Sequence, residues 1–363
     1  MRLAIVGPPL SGKTTLFTAL TGLDAAAGSG VEGGVHLGVF EVPDSRLDSL
    51  AEAIPHPKVT HATVEMADIP GFSDIASGRS GRGLDEKIMG PARAADALVI
   101  VVRAFDRPSV PHPAGRVDPV ADLNAVWADM IVADLQSVEK RLGKLKPLIS
   151  KAGASQEEKV EAEALQRITG ALEEGGAAGS IDLTPEEDRL LRGFGFMTSK
   201  PLVLVVNIGE EQLPPAVASE WSEWGDMHGA VVLALCADLL VELARLSPDE
   251  VDEFAGEYGV NPEAAVDVIR AAYEALDVVT FYTATGGKEL RAWALRRGRS
   301  VLEAAAEIHS DMARGFIKAE VIGVGELVDS GSWAAARKEG LVRQEGKSYC
   351  VNDGDVLNIK FAV

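Results

Sequence analysis

Residues Gly7-Pro8-Pro9-Leu10-Ser11-Gly12-Lys13-Thr14 constrain this chain more than any other stretch. A short apolar run, Leu3 to Val6, precedes them and Thr15 to Leu20 follows, so the order reads strand, glycine-bounded loop, first turn of a helix. Backbone N–H groups in such a loop converge at the helix N-terminus, where an anion is stabilised. The complete G-x-x-x-x-G-K-[ST] pattern in that setting predicts a phosphate loop. Lys13 then supplies a point charge to the β- and γ-phosphates and the Thr14 hydroxyl ligates Mg²⁺, while Gly7, Pro8, Pro9, Leu10, Ser11, Gly12 and Thr15 line the cradle. The fold class is α/β, a parallel sheet with helices on its faces.

The next stretches supply the partners such a loop needs. Asp24 to Gly34 is rich in Gly and Ala and reads as a mobile first switch loop. Val39 to Val42 reads as a strand, Asp44 to Ala53 as a helix, and Ala62 to Ala67 as a strand with period-2 alternation. That strand ends in Asp68-Ile69-Pro70-Gly71. An acidic strand end beside the first strand holds the hydration shell of Mg²⁺, and Gly71 brings its N–H to the γ-phosphate. Phe72 follows, and a phenyl ring cannot orient an attacking water as a glutamine does. Residues 73–84, which carry Gly78, Gly81 and Gly83 with Ser77 and Ser80, read as a second switch loop.

Ala97 to Val102 is continuously apolar, as a strand buried on both faces requires. It runs through Arg103-Ala104-Phe105 into a proline-rich loop, Pro108 to Pro119, containing His112. On the residues alone, His112 reads as a solvated loop side chain. Apolar residues then recur at helical spacing from Val120 to Lys146. Capping boxes begin at Ser155 and Thr184, so 121–196 reads as a charged helical hairpin, either a solvated spacer or a partner-binding arm. The sheet resumes at Leu202 to Val206 and ends in Asn207-Ile208-Gly209-Glu210. This N-x-x-E is a variant of N-K-x-D, whose Asp accepts from guanine N1–H and the exocyclic amine. Glu210 in place of Asp, and Ile208 in place of Lys, both undermine guanine recognition, whereas Asn207 still meets N7 and the exocyclic amine of adenine. ATP is therefore favoured over GTP. Ala230 to Ala237 is a last strand whose end, Cys236 and Ala237, offers backbone contacts to the base.

Bulk properties narrow the partners. A formal net charge of -20 argues against polyanion binding by the whole surface. The acidity is uneven: Val279–Val363 carries 12 basic and 11 acidic residues against 23 and 44 elsewhere, so RNA contact is expected there more than over the rest. Cys236 and Cys350 lack metal or redox spacing and read as buried, reduced thiols of a cytosolic protein. No signal peptide and no apolar run of membrane-spanning length is visible, which predicts a soluble cytoplasmic chain.

Together these residues resemble the YchF family, a branch of the Obg-related translation-factor NTPases. The resemblance runs over nearly the whole chain: the phosphate loop, Asp68 to Gly71 followed by a hydrophobic residue, the inserted hairpin and Asn207-x-x-Glu210. It continues in Phe281-Tyr282-Thr283, Arg291-Ala292-Trp293, Ile308-His309-Ser310-Asp311 and Asn352-Asp353-Gly354-Asp355. It implies a P-loop domain over 1–120 and 197–277, the inserted hairpin over 121–196, and an α+β, ubiquitin-like TGS domain over 278–363. It also implies slow, Mg²⁺-dependent, ATP-preferring hydrolysis, and contact with the ribosome or its RNA through the TGS domain and the hairpin, with no membrane or DNA partner. His112 acquires a water-orienting or acid–base role, making His112 and Lys13 the catalytic candidates. Two departures mark the chain as divergent: Leu10 stands where the family carries Asn, and no threonine lies between Asp24 and Val39. They keep open a nucleotide-binding adaptor with negligible hydrolysis; a GTP-specific switch is the other alternative.

Overall fold

The computed structural model describes residues 1–23, 35–71, 86–150, 153–285 and 288–362. The switch loops read at 24–34 and 73–84, together with Phe72, lie outside the described residues. The strands are β1 (Arg2–Val6), β2 (His36–Glu41), β3 (Val59–Thr60), β4 (Thr63–Asp68), β5 (Ala97–Arg103), β6 (Leu202–Asn207), β7 (Ala230–Leu235), β8 (Val278–Thr285), β9 (Glu289–Arg296), β10 (Phe316–Gly323), β11 (Arg343–Glu345) and β12 (Asp355–Phe361). They form two six-stranded sheets, ordered β2-β4-β1-β5-β6-β7 and β11-β10-β12-β8-β9-β3. Contacts divide the chain into two compact units, one of residues 2–38 and 65–272, the other of Met1, 39–64 and 273–363.

In the first unit β1 pairs in parallel with β4 and β5, and β5 with β6 and β6 with β7 in turn. Every residue of β5 and β6 is buried, the burial on both faces that their unbroken apolar runs foretell. Partners in a parallel pair project to the same face. Asp68 pairs with Ile5, Ile5 with Val99, and Arg103 with Asn207. Asp68, Arg103 and Asn207 therefore leave one face of the sheet at the carboxyl ends of three strands, where ligands of open α/β sheets bind.

The inserted helices span Pro119–Ser150 and Gln156–Glu173, the second opened by the Ser155–Glu158 capping box. They have a core of their own, including Val138, Leu142, Leu145, Leu165 and Ile168. Asp134, fully buried, fastens the long helix to the chain entering β6. Its carboxylate accepts from the Met197 N–H at 3.0 Å, the Thr198 N–H at 2.9 Å and the Thr198 hydroxyl at 2.8 Å. Burial pushes its carboxyl upward in pKa against the pull of these donors.

The second unit is built on antiparallel β8·β9 and β10·β12 pairs joined by parallel β8·β12. Alternation along β8 and β12 buries both faces. Phe281 and Leu357 pack with Val301 and Ala304 on one side. Tyr282 and Val356 pack with Leu47 and Leu50 on the other. Those two leucines belong to the helix Ser45–Ala53, and β3 extends the same sheet by pairing with β9. The packing thus groups 39–64 with the C-terminal segment and not with the phosphate loop, unlike the domain bounds 1–120 and 197–277 expected from the resemblance. A polar clamp secures it: Tyr282 Oη donates to Asp44 Oδ2 at 2.5 Å, and Arg46 bridges Asp44 and Asp353. The helix expected over Val301 to Met312 breaks at His309, whose backbone is extended and whose Nδ1 accepts the Asp311 N–H at 3.1 Å. Cys236 is buried as expected, but Cys350 is exposed, since it forms an isolated bridge with Ser300 and is not part of a packed strand.

Replacing Asp134 with alanine leaves two buried N–H groups and a hydroxyl without an acceptor. We expect a loss of about 3 kcal/mol in denaturant unfolding; a loss under about 0.5 kcal/mol, within the range of ordinary surface substitutions, contradicts the fastening role.

Candidate nucleotide site

Gly7 and Gly12 hold the phosphate loop on the sheet because neither has a side chain. Both are in left-handed backbone regions, φ 149° and 93°. A Cβ on Gly7 would run into the Val101 carbonyl, and one on Gly12 into the Asn207 amide. Pro8 and Pro9 carry no N–H, so the donors of the cradle are those of Leu10, Ser11, Gly12 and the residues opening the helix Lys13–Thr21. Lys13 is buried and its ammonium lies on the loop itself, 2.7 Å from Pro8 O and 3.2 Å from Gly7 O. Gly71 meets the loop from the other strand: a Cβ there would approach Pro9 N to 2.6 Å.

The metal-side candidates come together directly. The Thr14 hydroxyl donates to Asp68 Oδ2 at 2.7 Å. Asp68 is 3% exposed, and its other oxygen, Oδ1, is buried without a hydrogen-bond partner among the described residues. A hard divalent cation or its water suits that arrangement of one hydroxyl and one idle carboxylate oxygen. His36 adds a third group, Nδ1 lying 3.2 Å from Asp68 Oδ2. Sequence reasoning missed it, because a single histidine after a glycine-rich run matches no motif. The only cue was position: it opens the strand that follows a segment lacking threonine.

On the base side Asn207 is 4% exposed and ties two segments together. Its Nδ2 donates to Ser11 O at 3.0 Å, and its Oδ1 accepts the Ala237 N–H at 3.0 Å. One N–H of the carboxamide is left for a ligand. The Ala237 N–H, read as a base contact, is spent on Asn207. Ile208 is buried and its N–H donates to Leu235 O, whereas Glu210 is exposed. Cys236 precedes the helix Ala237–Leu243, and burial pushes its thiol pKa up. Thr15, half-buried, lies within the first helical turn.

His112 is held by Asp122 and Ala114. Its side chain is 5% exposed, with Nε2 3.1 Å from Asp122 Oδ2 and Nδ1 accepting the Ala114 N–H at 3.1 Å. A ring whose Nδ1 accepts carries its proton on Nε2, so this is a neutral imidazole donating to Asp122. The solvated reading is thereby corrected: a carboxylate on the first turn of the long helix orients the ring.

Comparison with known proteins decides the family. The chain is 36% identical to the "Ribosome-binding ATPase YchF" of Pasteurella multocida over 99% of this chain and 98% of that protein. The same identity and coverage relate it to the protein of that name in Bacillus subtilis. The chain belongs to the YchF family. A family model named YchF-GTPase_C, described as a protein of unknown function, matches residues 278–362. The solved structure of the Schizosaccharomyces pombe YchF GTPase superposes with a TM-score of 0.79 at 26% identity, covering 99% of this chain and 97% of that one. Two of these YchF relatives are thus named for ATP and one for GTP.

Leu10 is the strained point of this YchF-family site. It has φ 61° and is 52% exposed, so it incurs left-handed backbone strain without compensating burial. Leu10→Asn is expected to stabilise the free protein by about 0.5–1 kcal/mol in denaturant melts. A destabilised variant contradicts that assignment of strain.

Proposed function

We propose that this chain is a cytoplasmic, ribosome-associated NTPase that binds Mg²⁺-ATP in preference to Mg²⁺-GTP and hydrolyses it slowly to ADP and phosphate. The observation that carries the reading is the 2.7 Å contact of Thr14 with Asp68 beside the loop on which Lys13 lies. Thr14 and Asp68 Oδ1 are the groups that would hold Mg²⁺, Thr14 directly and Asp68 through water. When bound, Mg²⁺ would supply positive charge that offsets the negative charge of the phosphates.

The chain's own residues supply the rest. Lys13, lying on the Gly7 and Pro8 carbonyls, presents its ammonium to the β- and γ-phosphate oxygens, and the N–H groups from Leu10 to Thr14 surround them. Asn207 keeps the loop against the sheet and offers its remaining N–H to purine N7, which both bases present. Selection between bases therefore falls to Ile208 and Glu210, neither of which matches the guanine signature. His112 takes the water-orienting role that Phe72 cannot fill. To do so it exchanges one present partner, Asp122 or Ala114, for the water, an extra step consistent with slow turnover.

The ribosomal part rests on the names of the bacterial relatives and on the balanced charge of Val279–Val363 in an acidic chain. The TGS-like segment and the charged hairpin are the proposed contact surfaces. GTP preference remains the second reading, favoured by the name of the fission-yeast structure.

Lys13→Ala is expected to abolish binding of Mg²⁺-ATP in calorimetry, whereas unchanged affinity rejects the site. Alanine at His112 is expected to slow single-turnover hydrolysis about a hundredfold with ATP affinity retained. An unaltered rate removes His112 from the mechanism, and a wild-type rate no faster than free nucleotide supports an adaptor.

A further inference from the structure

The two carboxylate oxygens of Asp68 are engaged unequally. Oδ2 accepts the Thr14 hydroxyl at 2.7 Å and lies 3.2 Å from His36 Nδ1, whereas Oδ1 is buried with no hydrogen-bond partner among the described residues. A carboxylate only accepts, so the imidazole carries a proton on Nδ1 and donates it. The two donors take both lone pairs of Oδ2, and a cation or water that comes to Asp68 meets Oδ1.

One donor does not fix such a group. The outer torsion of an aspartate is broad, so a carboxylate bonded to Thr14 alone can swing about that bond. A second donor from a different element sets its plane. His36 suits that task because it is itself held. It opens β2, the strand beside β4, and Val35 before it is buried. Gly38 lies so close to the helix Lys13–Thr21 that a Cβ there would come within 2.8 Å of the Phe17 ring and of the Thr21 methyl. The imidazole and Phe17 ring centroids are 6.4 Å apart. Phe17 is three residues beyond Thr14, on the same side of that helix, so the element that delivers the Thr14 hydroxyl also borders the histidine.

We propose that His36 is a positioning residue for the metal side of this site: by donating Nδ1–H to Asp68 Oδ2 it holds the carboxylate with Oδ1 open to the hydration shell of Mg²⁺. The inference rests on the reading of Thr14 and Asp68 as the Mg²⁺ side of a triphosphate site. His36 touches neither metal nor nucleotide in this scheme. It acts through Asp68, as outer partners of metal ligands commonly do.

The test measures binding of a non-hydrolysable ATP analogue by calorimetry, once with Mg²⁺ and once with EDTA, for wild type, His36→Leu, His36→Asn and His36→Gln. The ratio of the two affinities isolates what Mg²⁺ contributes. His36→Leu is expected to weaken binding about tenfold or more with Mg²⁺ while leaving binding in EDTA unchanged. Asparagine places an amide N–H where Nδ1 stands and is expected to restore the ratio. Glutamine places it one carbon further out, and the ratio should stay low. A purely structural histidine predicts equal losses with and without Mg²⁺, and that pattern overturns the proposal, as does a wild-type ratio in His36→Leu. If His36→Leu does not fold, the amide variants decide: equal ratios, or rescue by glutamine and not asparagine, overturn the proposal. Wild type that binds the analogue equally well with Mg²⁺ and with EDTA rejects the metal-side reading itself, and wild type that binds it in neither rejects the triphosphate site, both distinct from failure of the His36 assignment.

Discussion

The Asn207 carboxamide bonds Ser11 on the phosphate loop and Ala237 at the end of the neighbouring strand, and the site depends on that bridge. Each bond is buried, and together they contribute about 2 kcal/mol net. Their larger effect is geometric. Gly12 has to lack a side chain because the amide occupies the space a Cβ would need, and Gly7 has to lack one because the loop lies on the Val101 carbonyl. With the loop pressed against the sheet, Lys13 and Thr14 open the helix and Thr14 reaches Asp68. The same bridge removes the Ala237 N–H from the donors available to a base.

Asp68 is the second node, receiving Thr14 and facing His36 through one oxygen. The segments that deliver His36 and Asp68 are also those that lead into and out of 39–64, the part of the chain packed with the C-terminal unit. The core around Leu47 and Leu50 and the clamp of Asp44, Arg46, Tyr282 and Asp353 make the inserted segment an integral part of it.

Motif residues were legible in the sequence because strand-end chemistry has fixed spacing: Lys13 lies on the phosphate loop, Thr14 reaches Asp68 and Asn207 reaches Ser11. Partners chosen by packing were not. Leu47 and Leu50 give an amphipathic helix its apolar face, but periodicity does not say which sheet that face covers. Arg103 reads as the polar end of an apolar run and is instead enclosed. His112, in a proline-rich loop, carries no sign of the Asp122 that turns it inward, since that residue is read as part of a helix start. His36 belongs to no pattern at all.

The proposed selection of adenine by a triphosphate site is tested most directly by a side-by-side calorimetric titration of the wild-type protein with Mg²⁺-ATP and Mg²⁺-GTP. The account predicts one site per chain with tighter binding of ATP, since Ile208 and Glu210 do not supply the guanine-specific pairing. Tighter binding of GTP contradicts the base assignment, and heat from neither nucleotide contradicts the site.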